Sequence, residues 1–326
     1  MLQYLVIQLD DTSVSYCHYS NKRRERRLIS LDCLKKGIRF AMTQNLMVQL
    51  VYPSYMLPRE YKEVIDTIDH GDIVPAECED TALREDADVI VYDGFASLEA
   101  YPPVTGSVCV LRTGKADLFS KSTMLPEIIS RVARLSVVIT DVETFTEDDL
   151  KAYKTVLEYL SAALETLYAG GGTPQLSLLT DRMMLDGMNN CDAGWKSIAL
   201  APDGKLYVCP AFYLDEGNYG IGKSNISIGD LDYGPDIPNP QLYRLSHAPI
   251  CRRCDAYQCK RCVWLNRKTT YEVNTPSHEQ CVIAHLERNA SRSLLGKLRQ
   301  HGDFLPGHDI KEIDYLDPFE KSKEWR

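Results

Sequence analysis

Residues 146–180, TEDDLKAYKTVLEYLSAALETLYAGGGTPQLSLLT, carry the reading on which the fold turns. Thr146 is a capping residue, and Glu147, Asp148 and Asp149 fill the first turn, where the helix dipole favours acids. Leu150, Tyr153, Leu157, Leu160, Leu164 and Leu167 recur at helical spacing and predict one apolar face. Gly170, Gly171 and Gly172 end the helix, and PQLSLLT (174–180) predicts the strand that follows. A long helix that stops on glycine and passes straight into an apolar run is the unit of a parallel sheet.

The same alternation extends back to the first residues. YLVIQL (4–9) predicts a strand, SLDCLKKGIRFAMTQNL (30–46) a helix and MVQLVYP (47–53) a strand. PREYKEVIDTID (58–69) predicts a helix, ADVIVYDG (87–94) and SVCVLRTG (107–114) strands, MLPEIISRVARL (124–135) a helix and SVVITDV (136–142) a strand. Continuously apolar strands separated by helices predict an α/β fold, a parallel sheet with helices covering it. About six such units fit a partial or complete (βα) barrel better than a small open sheet.

After residue 182 the pattern changes. WKSIALAPDGKLYVCPAFY (195–213) predicts a β-hairpin that turns at Pro202-Asp203-Gly204. Seven of the eleven cysteines fall between 191 and 281. A last helix is predicted from Ser277, and the charged, proline-bearing tail after Gly302 reads as a loosely packed arm. The chain therefore divides into a βα domain (1–182), a cysteine-rich module (183–301) and a tail (302–326). So little apolar sequence in the module calls for bound metal to supply the missing constraint.

The 326 residues carry a formal net charge of -9, the wrong sign for a general nucleic-acid face. No apolar run reaches the ~18 residues that a membrane helix requires. MLQYLVIQLDD lacks a basic leader region and turns acidic at once, so it reads as a first strand, not a signal peptide. These features predict a cytoplasmic protein that engages neither nucleic acid nor membrane. In that reducing compartment clustered cysteines serve as metal ligands more often than as disulfides, and eleven cannot all pair.

The densest cluster is CRRCDAYQCKRC (251–262). A zinc ribbon separates its two CxxC knuckles by ~15–20 residues, whereas four residues separate Cys254 from Cys259. Dense runs with short gaps are typical of ferredoxins, in which the last cysteine turns away to a second cluster. By that logic Cys251, Cys254 and Cys259 share a centre with Cys281, which stands in the first turn of the helix that Ser277 and Gln280 cap. Cys262 joins Cys191 and Cys209, which bracket the hairpin, in a centre with three cysteines. That centre keeps an open position or borrows a ligand, for which His247 and His278 are near in sequence. Arg252, Arg253, Lys260 and Arg261 against Asp255 make the loop positive, which lowers thiol pKa and offsets the charge of thiolate-bound iron. The spacing favours two iron–sulfur clusters, with zinc as the alternative.

Together these residues resemble a known module. CDAGWKSIALAPDGKLYVCP (191–210), IGDL (228–231), CRRCDAYQCKRC and the last cysteine are similar to a SPASM domain. That is the auxiliary-cluster module of radical S-adenosylmethionine (radical SAM) enzymes that modify ribosomal peptides. The family pattern opens with C-x9-15-G-x4-C; here twelve residues separate Cys191 from Gly204 and four separate Gly204 from Cys209. The family's C-x2-C-x5-C-x3-C is shortened by one residue in each of its last two gaps. The resemblance covers residues 190–285 and implies clusters that are usually 4Fe–4S, in the same four-plus-three partition, behind a radical-SAM-type barrel.

The barrel departs from that family where its chemistry should be. The family's CNLxCxYCY lies over Asp10 to His18 without gaps, with Asp10 and Val14 at the first two cysteine positions. Tyr16-Cys17 alone keeps the end of the motif, and one thiolate cannot hold a cluster that takes three. QLVYPSYMLP (49–58) stands in place of the glycine-rich GGEP segment that binds the cosubstrate's amino group. No S-adenosylmethionine-binding residue carries over, no catalytic residue is identified, and cleavage of that cosubstrate is not implied. Within the superfamily, QNLMVQLVYPSYMLP (44–58) and CVWLNRKTTYEVNTPSHEQC (262–281) resemble the CXXX repeat peptide maturase group, which is encoded beside small precursor peptides with repeated cysteines.

Three functions follow from these residues. The first is an iron–sulfur protein in the maturation of a cysteine-rich precursor peptide, anchoring substrate thiolates or exchanging electrons with a partner enzyme or electron donor. The second is a non-catalytic adaptor stapled by zinc or iron–sulfur. The third, an active radical enzyme, needs a reducing cluster for which Cys17 is the single candidate. Otherwise Cys17 reads as an ordinary core or loop residue, Cys109 as an inert buried thiol, and KRRERR (22–27) as a solvated loop. No HExxH, GxSxG, P-loop or GxGxxG is present.

Overall fold

The computed structural model describes residues 2–214 and 226–310. Strands β1 (Tyr4–Gln8), β2 (Met47–Val51), β3 (His70–Pro75), β4 (Val89–Asp93), β5 (Val108–Thr113), β6 (Arg134–Ile139) and β7 (Gln175–Leu176) pair in chain order, each parallel to the next. Their crossovers hold α1 (Leu31–Gln44), α2 (Arg59–Ile65), α3 (Thr81–Asp86), α4 (Phe95–Ala100), α5 (Lys115–Lys121), α6 (Leu125–Arg131) and α7 (Glu147–Ala169). Sequential parallel order with helical crossovers is the winding of a βα barrel. The barrel is partial, because among the described residues β7 pairs with β6 alone and the free edge of β1 goes elsewhere.

That edge is taken by the cysteine-rich half. After α8 (Thr180–Met184), β8 (Ser197–Leu200) runs parallel to β1, and β9 (Lys205–Tyr207) returns antiparallel with Tyr207 opposite Ala199. β10 (Gly229–Asp230) and β11 (Gly234–Pro235) continue the sheet. The hairpin turns where its sequence predicts: Gly204 adopts a φ of 80°, and Asp203 Oδ1 accepts the Lys205 N–H at 3.0 Å. The hairpin thus covers the edge that a partial barrel leaves open. Helices α9 (Pro210–Leu214), α10 (Val263–Thr270) and α11 (His278–Leu298) complete the described elements, and α11 lies along α7.

Helices cover the sheet, and β1, β2, β4, β5 and β6 are largely apolar; Leu5, Ile7, Leu50, Val91 and Leu111 are fully buried. Helix α7 begins in a reciprocal capping box between Thr146 and Asp149. Leu150, Tyr153, Leu157, Leu160 and Leu164 are buried as the periodicity predicts, and Leu167 is half-buried. Tyr153 ties the two halves together: its hydroxyl donates a 2.7 Å hydrogen bond to Glu287 of α11.

Three expectations change. Strand β3 has no counterpart in the sequence reading, because its first half, His70-Gly71-Asp72, is polar and only Ile73-Val74-Pro75 is buried. The stretch 174–180 forms a two-residue strand and then helix α8, because Thr180 Oγ1 accepts the Leu176 N–H (2.9 Å) and donates to the Leu176 carbonyl (3.0 Å). The tail is not a loose arm up to residue 310. Phe304 packs edge-on against Tyr168 at 5.1 Å, Arg299 binds the Phe304 and Leu305 carbonyls, and Ile310 is buried. Residues 311–326 lie outside the described residues.

Candidate metal centres

The segment before the hairpin lies along the cysteine run. The Asn189 N–H bonds to the Tyr257 carbonyl (2.8 Å) and the Cys191 N–H to the Lys260 carbonyl (2.7 Å). This sets Cys191 beside Cys262, the residue that caps α10. Cys209 follows β9, and its carbonyl accepts the Phe212 N–H (3.1 Å), as that of Cys262 accepts the Asn266 N–H (2.9 Å). The three thiols are electrostatic neighbours, and Cys17, from the loop after β1, lies among them. Burial, then repulsion between the thiols, pushes Cys209 and Cys262 up; burial also pushes Cys17 up to about 11.

The other cysteines of the run form a second group. Cys251, Cys254, Cys259 and Cys281 line one small, largely apolar cavity together with Arg261 and His285. His285 Nε2 stands 3.6 Å from Cys254 Sγ, and the Ala256 N–H points at the same sulfur (3.4 Å). Burial pushes Cys251 and Cys259 up to about 12. The loop is braced from behind, since Arg288 pairs with the buried Asp255 carboxylate at 2.5 Å and Arg182 binds the Asp255 carbonyl.

Between the groups stands Arg261, which is 0% exposed. Its Nε donates to Asn190 Oδ1 and its Nη2 to the Tyr243 carbonyl, both at 2.7 Å, while Nη1 is buried with no hydrogen-bond partner among the described residues. Its electrostatic neighbours include Cys251 and Cys259 on one side and Cys191 on the other. A buried cation with a spare donor fits groups that bind as anionic thiolates. Arg252, Arg253 and Lys260 are exposed, so the charge that the sequence spreads over the loop is concentrated at Arg261.

Among the described residues, no three His, Cys, Asp or Glu side chains converge as ligands of a single ion do. Cys251, Cys254, Cys259 and Cys281 border one cavity, and thiols are the donor type that iron–sulfur clusters and zinc both take.

The segment that would carry a reducing cluster is committed to other bonds. Asp10 is fully buried, and its carboxylate accepts from the Thr12 N–H (2.8 Å), the Thr12 hydroxyl (2.6 Å) and the Tyr55 hydroxyl (2.9 Å). The Ser13 hydroxyl receives the Asp10 N–H and donates to the Val51 carbonyl. In the basic run, Arg23 pairs with Asp11 of this loop (3.2 Å) and Arg26 covers the ring of Tyr55 (4.2 Å), which bonds Asp10.

No protein-family model matches the chain, and no curated protein matches it. Among solved structures it is similar to anSMEcpe with bound AdoMet, at a TM-score of 0.59 and 10% identity, over 92% of this chain and 96% of that one. Native anSMEcpe with bound AdoMet and Cp18Cys peptide gives a TM-score of 0.58 at 10% identity, over 91% and 99% of the two chains. The complex with Kp18Cys peptide gives 0.58 at 11% identity, over the same shares. The chain has the fold of anSMEcpe. A likeness of that length cannot be confined to residues 1–182, and at that identity it is a likeness of fold. The partial βα barrel expected from the sequence is the fold observed, and it is shared with anSMEcpe.

Sequence spacing missed three residues of these groups. Cys17 and His285 are brought in by folding, and Arg261 is indistinguishable in sequence from its exposed neighbours. His247, a candidate for the three-cysteine group, is exposed and bonds Ser246; His278 opens α11, next to the segment that carries Cys281. The short approach of Tyr16-Cys17 to the module has no signal in the sequence. Cys109, as read, is a fully buried thiol within β5, beside the Ser107 hydroxyl.

Proposed function

We propose that the chain is an iron–sulfur protein of peptide maturation, of the radical SAM/SPASM type and nearest the CXXX repeat peptide maturase group. Residues 1–182 form its peptide-receiving barrel and residues 183–301 its SPASM module. The observation that carries this reading is the grouping of the module's seven cysteines into two thiol sets, with Arg261 between them, on this fold. Cys251, Cys254, Cys259 and Cys281 would hold one cluster, and Cys191, Cys209 and Cys262 would take part in the other. When bound, the clusters supply one-electron transfer and iron that attracts soft thiolates. This chain's own residues bury Cys251 and Cys262, direct the Ala256 N–H at the Cys254 sulfur and place a buried guanidinium beside both sets.

The partner we propose is a cysteine-rich precursor peptide, supported by the anSMEcpe structures that hold the Cp18Cys and Kp18Cys peptides. A partner enzyme performs the bond-making step and exchanges electrons with the clusters. The Asp10 network supports that division, since it occupies the positions from which a reducing cluster would be held. It also keeps a second reading in play, a non-catalytic adaptor whose metals, zinc or iron, are structural. Fluorescence anisotropy with a labelled cysteine-repeat peptide tests both. Binding by the iron form that is lost when iron is exchanged for zinc supports the first reading; equal binding by a folded zinc form supports the adaptor. No binding by either form overturns the peptide partner.

A further inference from the structure

We propose that Cys17 is the fourth ligand of the Cys191, Cys209 and Cys262 centre, so that one metal centre joins the barrel's first loop to the C-terminal module. This rests on the reading of these thiols as iron–sulfur ligands and adds a ligand that the module's own motif does not contain.

The loop that carries Cys17 is held in place from the barrel side. Arg112, at the end of β5 and 4% exposed, donates through Nε to the Cys17 carbonyl (2.9 Å) and through Nη2 to the Tyr19 carbonyl (2.5 Å). Its Nη1 is fixed by Asp93 at 2.7 Å. His18 Nδ1 bonds the Ile139 carbonyl at the end of β6 (2.9 Å). These bonds hold the Cys17 and Tyr19 carbonyls and the His18 ring, and so fix the backbone from which the Cys17 side chain leaves.

The module meets the same loop. Trp264, two residues beyond Cys262, packs edge-on against Tyr19 with ring centroids 6.4 Å apart. His18 and Cys262 line one cavity of about 110 Å³. Tyr19 stands two residues after Cys17 and Trp264 two after Cys262, so the ring contact brings the Cys17 segment to the start of the helix that Cys262 caps. There the Cys191 N–H is tied to the Lys260 carbonyl at 2.7 Å. Electrostatic interaction among the thiols of Cys17, Cys191, Cys209 and Cys262 agrees with that placement. Four cysteines are the full complement of a 4Fe–4S cluster, one for each iron. The three-cysteine count was a count within one module; across the two halves it is four.

Two consequences follow. No iron of this centre is left open for a substrate thiolate, so of the two roles proposed above this centre takes electron transfer. The one cysteine that stands at a position of the barrel's motif, where Asp10 and Val14 take the other two, thereby serves the module.

The test uses the full chain, purified without oxygen, as wild type and as Cys17→Ser, Cys17→Ala, Cys191→Ser and Cys33→Ser variants. Iron and sulfide are counted, and Mössbauer spectra are recorded. Cys17→Ser, which keeps the side chain's size against misfolding, is expected to reproduce Cys191→Ser. Iron falls from about eight to about four per chain, or the spectrum of that cluster alone changes, while Cys33→Ser matches wild type. Wild-type counts and spectra in both Cys17 variants overturn the proposal. A wild-type protein without iron and sulfide overturns the underlying reading instead, whatever Cys17 does.

Discussion

The Tyr55 hydroxyl donates a 2.9 Å hydrogen bond to the buried Asp10 carboxylate. Together with the Ser13 hydroxyl bond to the Val51 carbonyl and the Val14 N–H bond to the Tyr52 carbonyl, this contact joins the two segments, 10–18 and 49–58, that in the resembled family bind a reducing cluster and the cosubstrate. Each segment now satisfies the other. We expect anaerobic, reduced protein to leave added S-adenosylmethionine intact, as measured by chromatography of the nucleoside products. Tyr55→Phe should lower stability by about 1–2 kcal/mol in urea titration, because it removes a bond to a charged acceptor.

Arg261 is the residue whose loss should reach both thiol groups. Arg261→Gln removes a buried guanidinium that makes two 2.7 Å hydrogen bonds and faces cysteines of each group. We expect a loss of about 3 kcal/mol and reduced iron at both centres, read by denaturation and metal counting. Arg252→Ala, at an exposed position of the same loop, should change stability by no more than about 0.5 kcal/mol.

Glu287 gives the fold a pH dependence. Burial pushes its carboxyl up to about 7, against hydrogen bonds from Tyr153 and Gln258 that pull it down. A raised carboxyl pKa means that the folded chain holds a proton the unfolded chain has released. The contribution is therefore full below the unfolded pKa and is lost as pH rises through about 7. Stability should fall by about 3 kcal/mol between about pH 4 and pH 8. Glu287→Gln, compared by urea midpoints across that range, should flatten the fall.

Local order was legible wherever one residue type or period dominated. The capping box and apolar stripe of α7 and the Pro-Asp-Gly turn stand in the sequence as they stand in the fold. Thr146→Ala should accordingly cost about 1 kcal/mol, seen as a lower urea midpoint. β3 was hidden because half of it is polar and its pairing is made by neighbours. The partition of the cysteine run followed from gap lengths, but Cys17 lies 174 positions before Cys191 and no spacing rule spans that distance. Its place depends on Arg112, on a strand between them, gripping the loop. Arg261 was one of four equivalent cations in sequence, and burial alone singles it out.

The central claim is that the cysteines hold two iron–sulfur clusters. Iron, acid-labile sulfide and zinc, counted per chain after anaerobic purification, test it most directly. The account predicts about eight irons and about eight sulfides, the content of two 4Fe–4S clusters. Zinc at the thiols with no sulfide would contradict it.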